Sequence, residues 1–335
     1  MSYPALKKYS YLGQFGILVS FVFGGLVIGS VVSFIPLLGK IDWTSIMHKD
    51  SKQLMDNLLK PENASVLRWA QFVSTLFLIF LPAVAYAWIC HKKPFRHLGF
   101  KNKVLVSQIV LIVLIMMASL PLVDLLEQMT RMLPFAKETF AKFQGAEDDY
   151  NRQIAVIARM DSPFDYIISI IIVAFLPALF EETLFRGALQ NLLSRWTKMP
   201  ILSIALAAVI FSLVHFSYLG FLSRFILGFI LGWFYYRTGN LWLNIIGHFF
   251  NNAAALTALY IMTKPGQKLD AAKADMHFSI WGGIISLIVI CVLLVLFDQV
   301  SRKEIDRPGE EISMDEYEIS PFINDINNIG NPDLH

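Results

Sequence analysis

The chain has 335 residues, of which 56% are hydrophobic and only 16% charged, with 28 Lys and Arg against 26 Asp and Glu. A soluble domain carries about a quarter charged residues, so this chain lacks the polar surface of one, and its formal charge of +2 leaves no basic excess for nucleic acid. Two cysteines, Cys90 and Cys291, are too few for a disulfide framework; each falls in or at the end of an apolar run and reads as a packed thiol.

Bounded by the nearest Asp, Glu, Lys or Arg, uncharged runs cover 9–39, 69–91, 104–123, 166–180, 199–223, 225–236, 238–263 and 278–297. About 20 mostly apolar residues cross the hydrocarbon layer, so most of these runs predict a spanning helix outright. The first follows Lys7 and Lys8 as a signal peptide would, but it exceeds an h-region of about 7–15 residues and has no small-x-small cleavage site, so it is expected to be retained. The 166–180 run stops at Glu181 and Glu182 inside what must still be helix. The 199–223 run contains His215 and a turn-like Ser217-Tyr218-Leu219-Gly220, which ends one helix near 217 and starts another near 219; the 225–236 run then needs Arg224 near its outer end. The fold class is therefore all-α, a polytopic bundle of about eight transmembrane helices over residues 1–298.

Segments 41–62 and 128–160 mix charges with Met, Leu, Phe and Ile and predict short interfacial helices. Gly228-Phe-Ile-Leu-Gly232 is a GxxxG pattern that marks close helix packing. Asn63-Ala-Ser65 fits a glycosylation sequon, a pattern too short to carry weight. Residues 299–335 carry acids from Glu304 to Glu318 together with Pro308, Gly309, Pro321, Gly330 and Pro332, the composition of a disordered acidic tail.

Orientation follows from the basic residues. Lys92, Lys93, Arg96, Lys101 and Lys103 crowd into residues 91–103, a positive-inside signal that makes this loop cytoplasmic. Alternation places Lys7, Lys8, Arg195, Lys198, Arg237, Arg302 and Lys303 on the same side. Both termini are then cytoplasmic, in the plasma membrane if the source is prokaryotic.

An ionisable group inside a spanning helix costs roughly 2.5–3.5 kcal/mol on insertion scales, so each is a candidate functional residue. They concentrate in Phe180-Glu-Glu-Thr-Leu-Phe-Arg-Gly187, Phe211-Ser-Leu-Val-His215, and Asn244 followed by His248-Phe-Phe-Asn-Asn252. Glu182 and Arg186 stand at i and i+4 with the acid first, the favourable order for a helical ion pair, while Glu181 is turned about 100° away. Pro177, four residues before Glu181, removes a helical N–H and can open the helix beside it. Counted from the turn near Met199, Glu181 and His215 reach nearly the same height, and His248 and Asn252 share one helical face. A common polar site is expected within the membrane, nearer its cytoplasmic face and reached from that side.

In order and on successive membrane helices, Glu181-Glu182-x-x-x-Arg186, Phe211-x-x-x-His215 and His248-x-x-x-Asn252 resemble the three motifs of the CAAX prenyl protease and bacteriocin-processing (CPBP, or Abi) family of intramembrane glutamic endopeptidases. The resemblance covers about residues 164–262, with every motif position filled. It implies a catalytic core there, acting on peptide bonds of a membrane-embedded peptide or protein in the lipid bilayer. It further implies that Glu181 and His215 activate water, that His248 and Asn252 stabilise the oxyanion, that Glu182, Arg186 and Phe211 support them, and that no cofactor is needed. The chemistry is coherent, since amide hydrolysis needs a base for water and donors aimed at the developing oxyanion.

Other readings stand beside this one. Glu181, His215 and His248 are also a two-histidine, one-carboxylate set, the ligands of some catalytic zinc sites, so a zinc-dependent intramembrane metalloprotease is the alternative. A proton-coupled transporter would use the same groups as a relay, but the sequence has no two matching halves. Taken singly, Glu182 with Arg186 is a structural bridge, and a lone helical histidine is a packing group; only their conjunction points to catalysis. No HExxH, GxSxG or Gly-x-Gly-Asp motif occurs. Substrate specificity and oligomeric state are not written in these residues.

Overall fold

The computed structural model describes residues 9–41, 47, 51–262 and 278–305. Nine helices organise them: α1 (Tyr11–Lys40), α2 (Pro61–Cys90), α3 (Val106–Arg131), α4 (Lys137–Ile157), α5 (Pro163–Thr197), α6 (Pro200–Leu213), α7 (Phe221–Thr238), α8 (Leu241–Met262) and α9 (Ile280–Ile305). Short helices Ser51–Leu58 and Pro94–His97 lie in the connections, and there is no strand among the described residues. Six helices, α1, α2, α3, α5, α8 and α9, are long and apolar enough to cross a membrane, which makes the chain an integral multi-pass membrane protein.

The remaining two apolar helices form a shorter hairpin. At 14 residues, α6 rises about 21 Å, less than the roughly 30 Å hydrocarbon layer. The turn-like residues after Val214 therefore reverse the chain at membrane depth, and α7 returns until Gly239, in the left-handed region at φ +57°, stops it. Of the eight expected spanning helices six are long and apolar enough to cross, while the other two runs form the α6–α7 hairpin, whose first helix is too short to span. Segment 128–160 forms the 21-residue α4, and 41–62 contributes Ser51–Leu58, with 42–46 and 48–50 outside the described residues. The expected division at residue 298 falls inside a helix, which continues to Ile305; the tail beyond it, Lys7 and Lys8 lie outside the described residues.

Burial organises the helices into two apolar clusters. Leu18, Tyr86, Ala87, Leu98, Leu184, Phe185, Leu192 and Phe211 join α1, α2, α5 and α6. Ile112, Ile115, Met116, Ile230, Leu231, Phe234, Leu243, Ile290 and Phe297 join α3, α7, α8 and α9. The outer faces of α1, α3 and α9 expose Val19, Phe23, Val110, Leu114, Ile285 and Ile288, as lipid contact requires. Cys90 is buried as expected, whereas Cys291 is exposed on α9 and is not a packed thiol.

The basic 91–105 connection packs against the α7–α8 turn: Leu241 N donates to Gly99 O at 2.7 Å and Lys101 Nζ to Thr238 O at 3.0 Å. Those two basic regions therefore share one end of the bundle. Leu98 of that connection presses on α5, where a Cβ on Gly187 would lie 2.8 Å from its carbonyl oxygen. The α4 helix lies toward the other end, tied down because Arg68 of α2 donates to Ile157 O at 2.8 Å and Arg159 O at 2.5 Å.

Helix α5 departs from regular α-helical geometry in two stretches. Residues Ile170–Phe175 and Thr183–Gln190 form wide π-turns on either side of the glutamates. Pro177 cannot donate to the carbonyl four residues back, and the chain widens to i−5 bonding just before it, with Leu176 N bonded to Ile171 O. The expected opening of the helix beside Pro177 takes this form.

Candidate active site

The site lies near the middle of α5, where the two apolar clusters meet. Glu182 is fully buried; its Oε1 accepts from His248 Nδ1 at 2.8 Å and lies 3.1 Å from Arg186 Nη1. Arg186, also buried, donates through Nη2 to Gly228 O at 3.0 Å and sits 4.8 Å over the Phe211 ring. Glu182 is thus held between a guanidinium and an imidazole, which is how a buried carboxylate is stabilised. The Gly228 carbonyl is available because the missing side chain lets α7 approach α6; Gly232 one turn on likewise accepts from Gln190 Nε2 at 2.9 Å. The GxxxG pattern marks close packing, as expected, and also supplies acceptors for α5.

Glu181 faces a different set of neighbours. Its Oε2 lies 3.9 Å from His215 Nε2 and 3.8 Å from His248 Nε2. The expected meeting of α5, the α6 end and α8 is present, near the middle of α5 rather than toward its basic end. The Phe211 carbonyl oxygen and His215 Nδ1 are 2.6 Å apart, and a carbonyl only accepts, so Nδ1 carries the proton and Nε2 presents its lone pair to Glu181. The Phe211 ring packs against Phe185, His215 and His248 at centroid distances of 5.2, 4.8 and 5.9 Å, fixing both imidazoles. Asn252 stands one turn beyond His248 on the same face of α8 and is half-buried.

The second oxygens of both glutamates are buried without a hydrogen-bond partner among the described residues. An unsatisfied buried carboxylate oxygen is costly, and beside two imidazoles it is a place for a reacting water or substrate proton. The separations of 3.8 and 3.9 Å fall between two limits. Ligands of a tetrahedral zinc at about 2.0–2.1 Å stand about 3.4 Å apart, whereas groups bonded tetrahedrally to one water stand about 4.6 Å apart. Among the described residues, no three His, Cys, Asp or Glu side chains are grouped closely enough to hold a metal ion.

Sequence reasoning missed the contribution of α4. Glu147 Oε2 accepts from Ser217 Oγ at 2.6 Å, Glu147 Oε1 lies 4.0 Å from Arg224 Nη2, and Phe143 stacks on Tyr218 at 4.3 Å. An interfacial helix thereby touches the turn that carries His215. The signal available was Arg224, a cation at the start of an apolar run, but nothing in the sequence says which acid it meets. The Asn63 sequon has a plain outcome: Asn63 is buried and its Nδ2 donates to Asn57 O at 3.0 Å, so its amide is engaged within the protein.

Comparison with known proteins finds matches over part of the chain. A family described as "Type II CAAX prenyl endopeptidase Rce1-like" matches residues 163–254, the stretch from the start of α5 into α8 that holds every residue of the cluster. The uncharacterized protein YpbD of Bacillus subtilis (strain 168) is 39% identical over 88 residues, which is 25% of this chain and 42% of that protein. The chain thus spans less than half the length of that relative. No solved structure matches. The similarity to that family of CAAX prenyl endopeptidases is thus carried by residues 163–254, the stretch that holds the site.

Proposed function

We propose that this protein is an intramembrane endopeptidase that hydrolyses a peptide bond of a membrane-associated peptide or protein, with Glu181 as the base. The observation that carries the reading is the buried, unpartnered Glu181 Oε2 set between two imidazole Nε2 atoms at 3.8 and 3.9 Å. A water held there gives one proton to Glu181 and hydrogen-bonds through the other to the His215 lone pair, which orients its oxygen for attack. The carbonyl oxygen of the substrate becomes an oxyanion on the side of His248 and Asn252. That role needs both His248 nitrogens protonated: Nδ1 donates to Glu182 and Nε2 faces the developing charge. Counted with ionised Glu181 and Glu182 and with Arg186, that form makes the buried cluster neutral. The proton taken by Glu181 passes to the leaving amine, and both products separate with one water added.

The separations of 3.8 and 3.9 Å lie between the zinc and the water geometries, so chelation decides between the glutamate and the metal scheme. The experiment uses purified protein in detergent and an N-acylated apolar peptide, with products read by mass spectrometry. Two fragments that together equal the substrate plus one water are expected, with activity surviving exhaustive chelation. His248→Ala and Asn252→Ala should each lower kcat by about 10²–10³-fold, the usual cost of losing one oxyanion donor, with KM nearly unchanged. A peptide left intact contradicts the peptidase reading. Activity lost with one bound zinc per chain and restored by zinc keeps the peptidase and overturns the metal-free scheme.

A further inference from the structure

The proposed chemistry makes no use of Arg224, Glu147 or Tyr150, although all three border the turn that carries His215. Arg224 lies in the first turn of α7, and its guanidinium folds back toward the 214–220 turn: a Cβ on Gly220 would lie 2.1 Å from Nη1. Nη1 is buried with no acceptor among the described residues, and Nη2 stands 4.0 Å from Glu147 Oε1, outside hydrogen-bond reach. A guanidinium offers five N–H donors in a fork that matches a carboxylate, and here the nearest carboxylate is held off. Glu147 cannot close the gap freely, because its other oxygen is engaged by Ser217 at 2.6 Å.

Tyr150 links this cation to the reacting centre. Tyr150 as a whole is 38% exposed, while burial around its phenol is the first cause that raises the phenol pKa. The charges of Arg224, Glu181 and Glu147 all act on that phenol, which also hydrogen-bonds the Arg224 guanidinium, and its ring lies 5.9 Å from that guanidinium. Tyr150 therefore borders both the proposed base and the cation whose Nη1 is left without an acceptor.

We propose that Arg224 is a specificity-determining residue that binds a carboxylate of the substrate, in the place that Glu147 of α4 approaches when no substrate is bound. The inference rests on the peptidase reading, since the carboxylate belongs to the peptide whose bond faces Glu181. Binding replaces a 4.0 Å contact with a two-pronged one and releases Glu147 from Arg224. The helix that carries Glu147 is held at its far end by Arg68 and near Glu147 by the Arg131–Gln144 hydrogen bond, and it meets the turn through Phe143, Glu147 and Tyr150, so the exchange at Arg224 needs only side-chain movement.

The test measures binding in the Glu181→Gln protein, where turnover plays no part. Three fluorescent N-dodecanoyl pentapeptides of apolar residues are compared: one with a free C-terminal carboxylate, its amide twin, and an amide-ended version with Glu in the last position. The free-acid peptide is expected to bind about tenfold or more tightly than the amide, as one charge-assisted contact allows. Arg224→Gln should abolish most of that preference, Arg224→Lys should keep part of it, and Glu147→Gln should strengthen binding of the free acid. Equal tightness of the Glu-bearing amide assigns the contact to a side-chain carboxylate, and its weakness assigns it to the chain end; either supports the anchor. Equal binding of acid and amide by the parent, no binding of either, or a preference untouched by Arg224→Gln overturns it. Should Arg224→Gln fail to fold, an acid preference unchanged in both Arg224→Lys and Glu147→Gln overturns it as well. If the preference behaves as expected but the wild type cleaves none of the peptides, the anchor stands and the peptidase reading falls.

Discussion

At the scale of single residues, adjacent glutamates do different work because a helix turns them about 100° apart. Glu182 is enclosed with Arg186 and His248, so Glu182→Gln removes the charge that both rely on and leaves a buried guanidinium unpaired. It should destabilise the protein by about 3 kcal/mol, the low end for breaking a buried pair, seen as a clear fall in the detergent melting temperature. A melting temperature equal to the wild type contradicts that role. Glu181, Glu182, Arg186, Phe211, His215 and His248 could all be picked out because each is polar, or stands at helical spacing from a polar group, inside an apolar run, where polarity must have a reason. Glu147 and Tyr150 could not. They lie on a helix already rich in charge, where one more acid or phenol carries no signal.

At the scale of elements, the eight apolar runs were legible because hydrocarbon demands long uncharged stretches, and the α6–α7 reversal was legible from its turn residues. The π-turns flanking the glutamates were only half legible: Pro177 announces a break, but the sequence does not say that the helix answers by widening. The basic α2–α3 connection carries its own constraint. His91 and His97 stack with ring centroids 3.3 Å apart. Burial, with the Arg195 charge behind it, pushes His91 down to about 3; burial, then His91 and Arg195, push His97 well below its ordinary value. Both are neutral in the folded protein, while the unfolded chain takes up their protons below about pH 6.5. Stability is therefore undiminished above that pH and falls as the pH drops from about 6.5 toward about 3. Melting between pH 7.5 and 5 should show the loss, and His97→Phe should reduce it; an equal loss in wild type and variant contradicts this account.

At the scale of the whole molecule, the contacts join the 91–105 connection to the α7–α8 turn at one end and place α4 toward the other. With the basic end in the cytoplasm, a C-terminal tag should be cut by added protease in sealed inverted vesicles and protected in right-side-out ones; the reverse pattern inverts the topology. The most direct measurement concerns the site itself. Wild-type and Glu181→Gln proteins are purified in parallel, their melting temperatures compared, and single-turnover cleavage of one acylated peptide followed by mass spectrometry. The account predicts an unchanged fold and no cleavage by Glu181→Gln, because the amide side chain keeps the shape of the site and cannot take the proton from water. Cleavage by a folded Glu181→Gln protein at the wild-type rate would contradict it.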